Sequence, residues 1–163
     1  MEPAQTSSGG YRRYGYGKPL ADFLQADAHA VIGELTQRST FNVDQTQVAA
    51  WQGSIECLRE ALSPWASEGH LFFEFDVPRL GRRIDAVLVL HHAVFVIEFK
   101  VGAKALLAAD LDQVVDYALD LKHFHQTSHD VPVVPILVAT EARAVNVQAA
   151  MDAAVPNLFL PMR

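Results

Sequence analysis

The sequence predicts an α/β domain in which a mixed central sheet is flanked by helices, with a core order α, β, β, β, α, β. Three observations point there. Apolar residues recur at helical spacing in the first third of the chain, then alternate with period two over three short segments bounded by turn residues, then return to helical spacing before a continuous apolar run. A chain of 163 residues, half of them hydrophobic, is long enough to bury a core of this kind without disulfides or metal staples.

Residues 1–18 are rich in Ser, Gly and Tyr, with Arg12, Arg13 and Lys18, and follow neither period. They are expected to form a flexible tail, leaving one domain over residues 19–163. Gly9, Gly10, Gly15 and Gly17 neither follow a strand nor open a helix, so they imply no phosphate loop. Leu20, Phe23, Leu24, Ala28, Val31, Ile32 and Leu35 predict one amphipathic helix, and Trp51, Ile55, Leu58 and Leu62 a second. Strands are expected over Leu71–Val77, Arg82–Leu90 and Ala93–Val101, forming an antiparallel meander. A helix from Leu106 to about His125 follows, then a buried strand over Val133–Ala139, a helix over Ala142–Ala154 and a short strand over Asn157–Leu160.

Composition excludes several classes. The longest apolar runs fall far short of the roughly 20 residues that span a bilayer. The lone Cys57 has no disulfide partner in the chain, and the start Met1-Glu2-Pro3 lacks a secretory signal pattern, so a reducing cytoplasm is expected. The net charge of -6 disfavours holding nucleic acid by general electrostatics, although Arg79, Arg82, Arg83, Lys100 and Lys104 concentrate positive charge in one region. His123, His125 and His129, with His91, His92 and Cys57, match no compact zinc pattern. No serine sits in a nucleophile elbow. Trp51 and Trp65 read as core residues rather than stacking platforms.

The segment with chemical content is Arg82 to Lys100. A hairpin turning at His91-His92 sets Val89 against Val94, Val87 against Val96, and Asp85 against Glu98. Lys100 then shares a face with Glu98, about 7 Å along the strand. Two carboxylates about 5 Å apart repel by roughly 3 kcal/mol at an effective dielectric near 20, more than a favourable cross-strand pair returns. A divalent cation offsets that repulsion, with Asp85 and Glu98 as its ligands and magnesium or manganese as the candidate ion. Lys100 is placed to orient or deprotonate an attacking water and to stabilise phosphate charge. The bland counterpart is a solvated strand end, in which Lys100 pairs with Glu98 and Arg83 neutralises Asp85.

Asp85, twelve residues, then Glu98-Phe99-Lys100 on consecutive strands resembles the PD-(D/E)XK nuclease superfamily, whose members share the restriction-endonuclease-like αβββαβ core. Ile84 stands where the family's usual Pro precedes the first acid. Gln113 and Tyr117 look like the Q-x-x-x-Y signature on the following helix of RecB-like members, which implies that both help position the catalytic lysine or a phosphate. The runs Glu74 to Asp85, Phe95 to Gly102 and Asp112 to His125 are similar to the N-terminal domain of bacterial DUF2075 proteins, where this region precedes an NTPase of helicase type.

The resemblance implies a magnesium-dependent phosphodiesterase with Asp85, Glu98, Lys100, Gln113 and Tyr117 as catalytic residues. Its nucleic-acid partner would be DNA rather than RNA, contacted by Arg79, Arg82, Arg83 and Lys104. It also implies a role in DNA processing or anti-phage defence, an NTPase or helicase domain or subunit as partner, and room for a homodimer. No P-loop occurs in this sequence, so ATP use does not carry over. The rival expectation is a nuclease-like fold that binds nucleic acid or a partner without cleaving. Some family members take a third ligand from the first core helix; Glu56 is the nearest acid, but it lies off that helix's apolar face and is not assigned.

Overall fold

The computed structural model describes residues 12–77 and 81–142. Arg79, the helix expected over Ala142–Ala154 (Ala142 apart), the strand expected over Asn157–Leu160 and most of the expected tail lie outside the described residues.

The described chain is an α/β fold with a five-stranded mixed sheet in the order β1-β2-β3-β4-β5. The strands are β1 (Tyr16–Pro19), β2 (His70–Val77), β3 (Arg82–Leu90), β4 (Ala93–Lys100) and β5 (Val133–Ala139). The first four are antiparallel in sequence order, and β5 joins β4 in parallel. Parallel pairing requires a crossover, supplied here by α4 (Ala108–Phe124). Three helices precede β2: α1 (Leu20–Gln25), α2 (Ala28–Arg38) and α3 (Gln45–Leu62).

Strand alternation assigns the two sheet faces to two helical layers. Leu71, Phe73, Ala86, Leu88, Leu90, Ile97 and Phe99 form one core with Leu20, Phe23, Val31, Leu35, Trp51, Ile55 and Leu58 of α1, α2 and α3. Val87, Val94 and Val96 form the other with Val114, Tyr117, Ala118 and Leu121 of α4. Each Val, Leu, Ile or Phe among them, fully buried, contributes about 1.5–3 kcal/mol.

Two elements differ from the sequence expectation. The single helix expected over Leu20–Leu35 is split, because Asp27 adopts an extended conformation and its carboxylate accepts the N–H groups of His29 and Ala30, capping α2. The tail boundary after Lys18 falls inside β1, whose Tyr16 is buried among Phe23 and Phe73. Its pattern is masked in sequence by glycine. Gly17 is needed there, since a Cβ would lie 2.6 Å from the Tyr14 ring and 2.7 Å from Phe72. Trp65 is also a correction: it is 46% exposed and packs edge-on against His91, whereas Trp51 is core.

Entry into β2 depends on Gly69, at φ +87, where a Cβ would stand 2.5 Å from the Val89 carbonyl oxygen. Both the left-handed backbone and the rigid neighbour exclude a side chain. Gly69→Ala is therefore expected to lower stability by about 2 kcal/mol or more, measured by urea unfolding; a loss within the experimental noise would refute the fit described here.

Candidate functional site

Both faces of the sheet change character at one point. On β2, Leu71 and Phe73 belong to the α1–α3 core, yet Val77 belongs to the α4 core; on β3, Ala86 and Leu88 belong to the former and Ile84 to the latter. Residues two apart share a face in a regular strand, so alternation breaks between them. The break coincides with Glu74, which holds φ +52, a left-handed value that costs a non-glycine residue about 1 kcal/mol or more. The β2–β3 register is paired at Phe73↔Ala86 and again at Phe75↔Ile84, with Glu74 and Asp85 between the two.

Asp85 thus sits where the sheet is interrupted. The expected hairpin register holds from Leu90↔Ala93 to Ala86↔Ile97 and the paired ladder stops there, so Asp85 and Glu98 do not form the direct cross-strand pair expected from sequence. Instead the Asp85 carboxylate reaches across and accepts the Phe99 backbone N–H at 2.8 Å. A side chain has taken the place of a ladder carbonyl, which fixes the carboxylate beside β4.

Glu98 and Lys100 alternate with the core residues Ile97 and Phe99 and face α4. There Gln113 lies one turn before Tyr117. Lys100 Nζ is 3.3 Å from Glu98 Oε1 and donates to Gln113 Oε1 at 3.2 Å. Gln113 Nε2 donates to Glu98 Oε1 at 3.0 Å and to the Tyr117 hydroxyl at 2.9 Å. Four of the expected site residues are therefore one hydrogen-bonded network, and the fifth, Asp85, couples to it electrostatically. Asp110, 3.5 Å from Lys100 Nζ, completes the network and was missed by the sequence reading. Its signal was present: 110, 113 and 117 share one helix face.

The charges are arranged under strain. Burial, then the charge of Glu98, pushes the Asp85 carboxyl up to about 7, with Glu74 adding to the effect. Burial also raises Glu98, against the downward pull of Lys100. Burial works against the Lys100 ammonium, but Glu98 and Asp110 outweigh it and hold it above its usual value. Without a metal, Glu98 and Asp110 favour the ammonium form of Lys100, which suits it to placing positive charge.

Glu98 is 5% exposed, and its two oxygens are treated unequally. Oε1 takes both Lys100 and Gln113, while Oε2 is buried and has no hydrogen-bond partner among the described residues. A buried unpaired carboxylate oxygen costs several kcal/mol unless a cation or proton satisfies it. With Asp85 alongside, this donor set fits a hard divalent cation. Among the described residues no three His, Cys, Asp or Glu side chains converge, so such an ion would have two carboxylates and take its remaining ligands from water, main chain or substrate.

The other expected residues are distributed differently. Arg82 and Lys104 are exposed. Arg83 turns away from the acid pair, lying 3.4 Å from Glu74, donating to Thr40 Oγ1 at 2.8 Å and standing 4.9 Å over the Phe41 ring. It does not serve as the neutralising neighbour of Asp85 considered from sequence. Glu56 is exposed and accepts from Gln52. His129 is engaged with the His123 carbonyl and His125 with Ser128 and Thr127. Comparison with known proteins returned no matching family description, no matching curated protein and no matching solved structure.

Proposed function

We propose that this chain is a metal-dependent nuclease of the PD-(D/E)XK type, built on a restriction-endonuclease-like core and hydrolysing phosphodiester bonds in nucleic acid, with DNA favoured. The observation that carries the reading is the divided Glu98 carboxylate: one oxygen held by Lys100 and Gln113, the other buried and unpartnered beside an Asp85 that resists ionising alone. The order of α3, β2, β3, β4, α4 and β5 supports it, because the αβββαβ core requires that succession.

Asp85 and Glu98 would hold magnesium or manganese. A bound cation supplies Lewis-acid polarisation of a phosphate and lowers the pKa of water. The remaining work falls to the chain. Gln113 fixes the plane of the Glu98 carboxylate and the position of Lys100 together, and Tyr117 fixes Gln113. Lys100 orients an attacking water and stabilises charge developing on the phosphate. Asp110 keeps Lys100 charged and tethered.

A second reading, a nuclease-like module that binds nucleic acid without cutting, draws on the acidic net charge of -6. One assay separates the two. Wild type and Lys100→Ala are incubated with labelled single- and double-stranded DNA and RNA in magnesium, manganese or EDTA. Products are expected for the wild type with metal and in no other arm. Retention of labelled strands without products favours the binding module; cleavage that persists in EDTA or in Lys100→Ala rules out this site as its source.

A further inference from the structure

Where Arg83 meets Thr40 and Phe41 lies a cleft of about 480 Å³. This is within the size range of pockets that enclose small organic groups. Four arginines, Arg12, Arg13, Arg38 and Arg83, line it with Thr40 and Phe41. Two carboxylates line it as well, Glu74 and Asp76. Glu74 is already committed, accepting the Trp51 indole N–H at 2.7 Å on one oxygen and facing Arg83 at 3.4 Å on the other. Arg38 shares its charge with Glu34 at 3.0 Å. Arg12 and Arg13 are exposed.

Phe41 is the unusual member. It is 73% exposed, although burying a phenylalanine stabilises a fold by roughly 1.5–3 kcal/mol. It is also not loose. The Ser39 hydroxyl bonds both the Phe41 N–H and the Phe41 carbonyl, and Arg83 is fixed over the ring by Thr40 and Glu74. A flat aromatic surface is thus held open to solvent among guanidinium groups, the combination that stacks a base while fixing its phosphates.

We infer that this cleft seats a single-stranded segment of nucleic acid, with an unstacked base on Phe41 and flanking phosphates on Arg12, Arg13 and Arg38. The inference rests on the nuclease reading only for what happens next to the bound strand. A duplex cannot use the seat, because its bases are already stacked on one another and their faces are inaccessible. Glu74 and Arg83 line the cleft, and Arg83 stands two residues before Asp85 on β3. The seat would set a preference for frayed, looped or single-stranded nucleic acid.

The test measures anisotropy of fluorescein-labelled oligothymidylate and of a labelled duplex, at low salt and in EDTA, with wild type, Phe41→Ala and Phe41→Trp. Phe41→Ala should weaken single-strand binding by about 5- to 150-fold, leave duplex binding unchanged and melt as wild type, since the ring is exposed. Phe41→Trp should restore the single-strand affinity. Equal single-strand binding by Phe41→Ala and wild type, parallel loss of both ligands, or no single-strand binding by the wild type overturns the seat. Magnesium-dependent cleavage is read separately. A wild type that cleaves while Phe41→Ala binds normally removes the seat and leaves the nuclease; a wild type that cuts nothing while Phe41→Ala loses single strands removes the nuclease and leaves the seat.

Discussion

Asp85→Asn is expected to abolish metal-dependent cleavage and, at the same time, to raise the melting temperature of the metal-free protein above pH 7. The two effects have one cause. Burial and the neighbouring Glu98 raise the Asp85 carboxyl from its usual value to about 7, so the folded protein disfavours its charge. For an acid shifted in this direction the contribution to stability is fully present below the unfolded-state pKa and is lost as pH rises to the folded value. Metal-free wild type should therefore lose stability between about pH 4 and pH 7, by roughly 2–4 kcal/mol, and then level off.

Asparagine removes the charge but keeps an oxygen to accept the Phe99 N–H, which alanine would strand. At pH 8 in EDTA the variant should melt above wild type. Adding magnesium should raise the wild-type melt and leave the variant's unchanged, since one of two ligating carboxylates is gone. Cleavage should fall by at least about a hundredfold, the usual consequence of deleting a preorganised charge at a reacting phosphate. The measurements are thermal melts over pH 4–9 with and without magnesium, together with initial cleavage rates. A variant less stable than wild type at pH 8 in EDTA would show that the acid pair is not under the electrostatic strain described.

Lys122→Met carries the second large effect, on stability alone. Lys122 is 2% exposed, and its ammonium donates to the carbonyls of Ser128, His129 and Val131 at 3.3, 2.9 and 2.6 Å. It therefore clips the connection between α4 and β5 back onto the last turn of α4. Methionine fills the same volume but leaves three carbonyls without their donor, at about 1–3 kcal/mol for each that stays buried. Relief from burying a charge returns part of this, so a net loss of about 2–3 kcal/mol is expected. Urea unfolding measures the loss, and hydrogen exchange should show faster opening of the segment between α4 and β5. Stability within 1 kcal/mol of wild type, with unchanged exchange there, would mean that these carbonyls find other partners.

Much of the architecture was legible because it depends on periodicity. Val133–Ala139 is a strand over the expected residues, and the β3–β4 hairpin keeps the expected register around His91-His92. Misreadings arose where a local interaction outweighed the pattern. Asp27 splits one apolar helical stripe by capping a second helix, and Tyr16–Pro19 forms an edge strand whose glycine and proline disguise it. Among the candidate residues, Asp85, Glu98 and Lys100 were nominated by strand spacing, and Gln113 and Tyr117 by their resemblance to the Q-x-x-x-Y signature. Asp110, Lys122 and Phe41 were not, since a charged or aromatic residue on an ordinary stretch acquires meaning only from what folds against it.

What this sequence determined by itself is which side chains share a face: Glu98 with Lys100 by strand alternation, and Gln113 with Tyr117 by the helical turn. These are properties of a few consecutive residues, and β4 and α4 are regular enough there to keep them. Only the tertiary structure decided how the faces meet. The left-handed Glu74 breaks the alternation of β2, the carboxylate of Asp85 takes the Phe99 N–H in place of the expected pairing with Glu98, and Arg83 swings to Phe41. The reason is energetic. Each is a contest between local backbone preference and the need to satisfy buried polar groups from another part of the chain, and the winner depends on distances that exist only after the sheet and helices have packed.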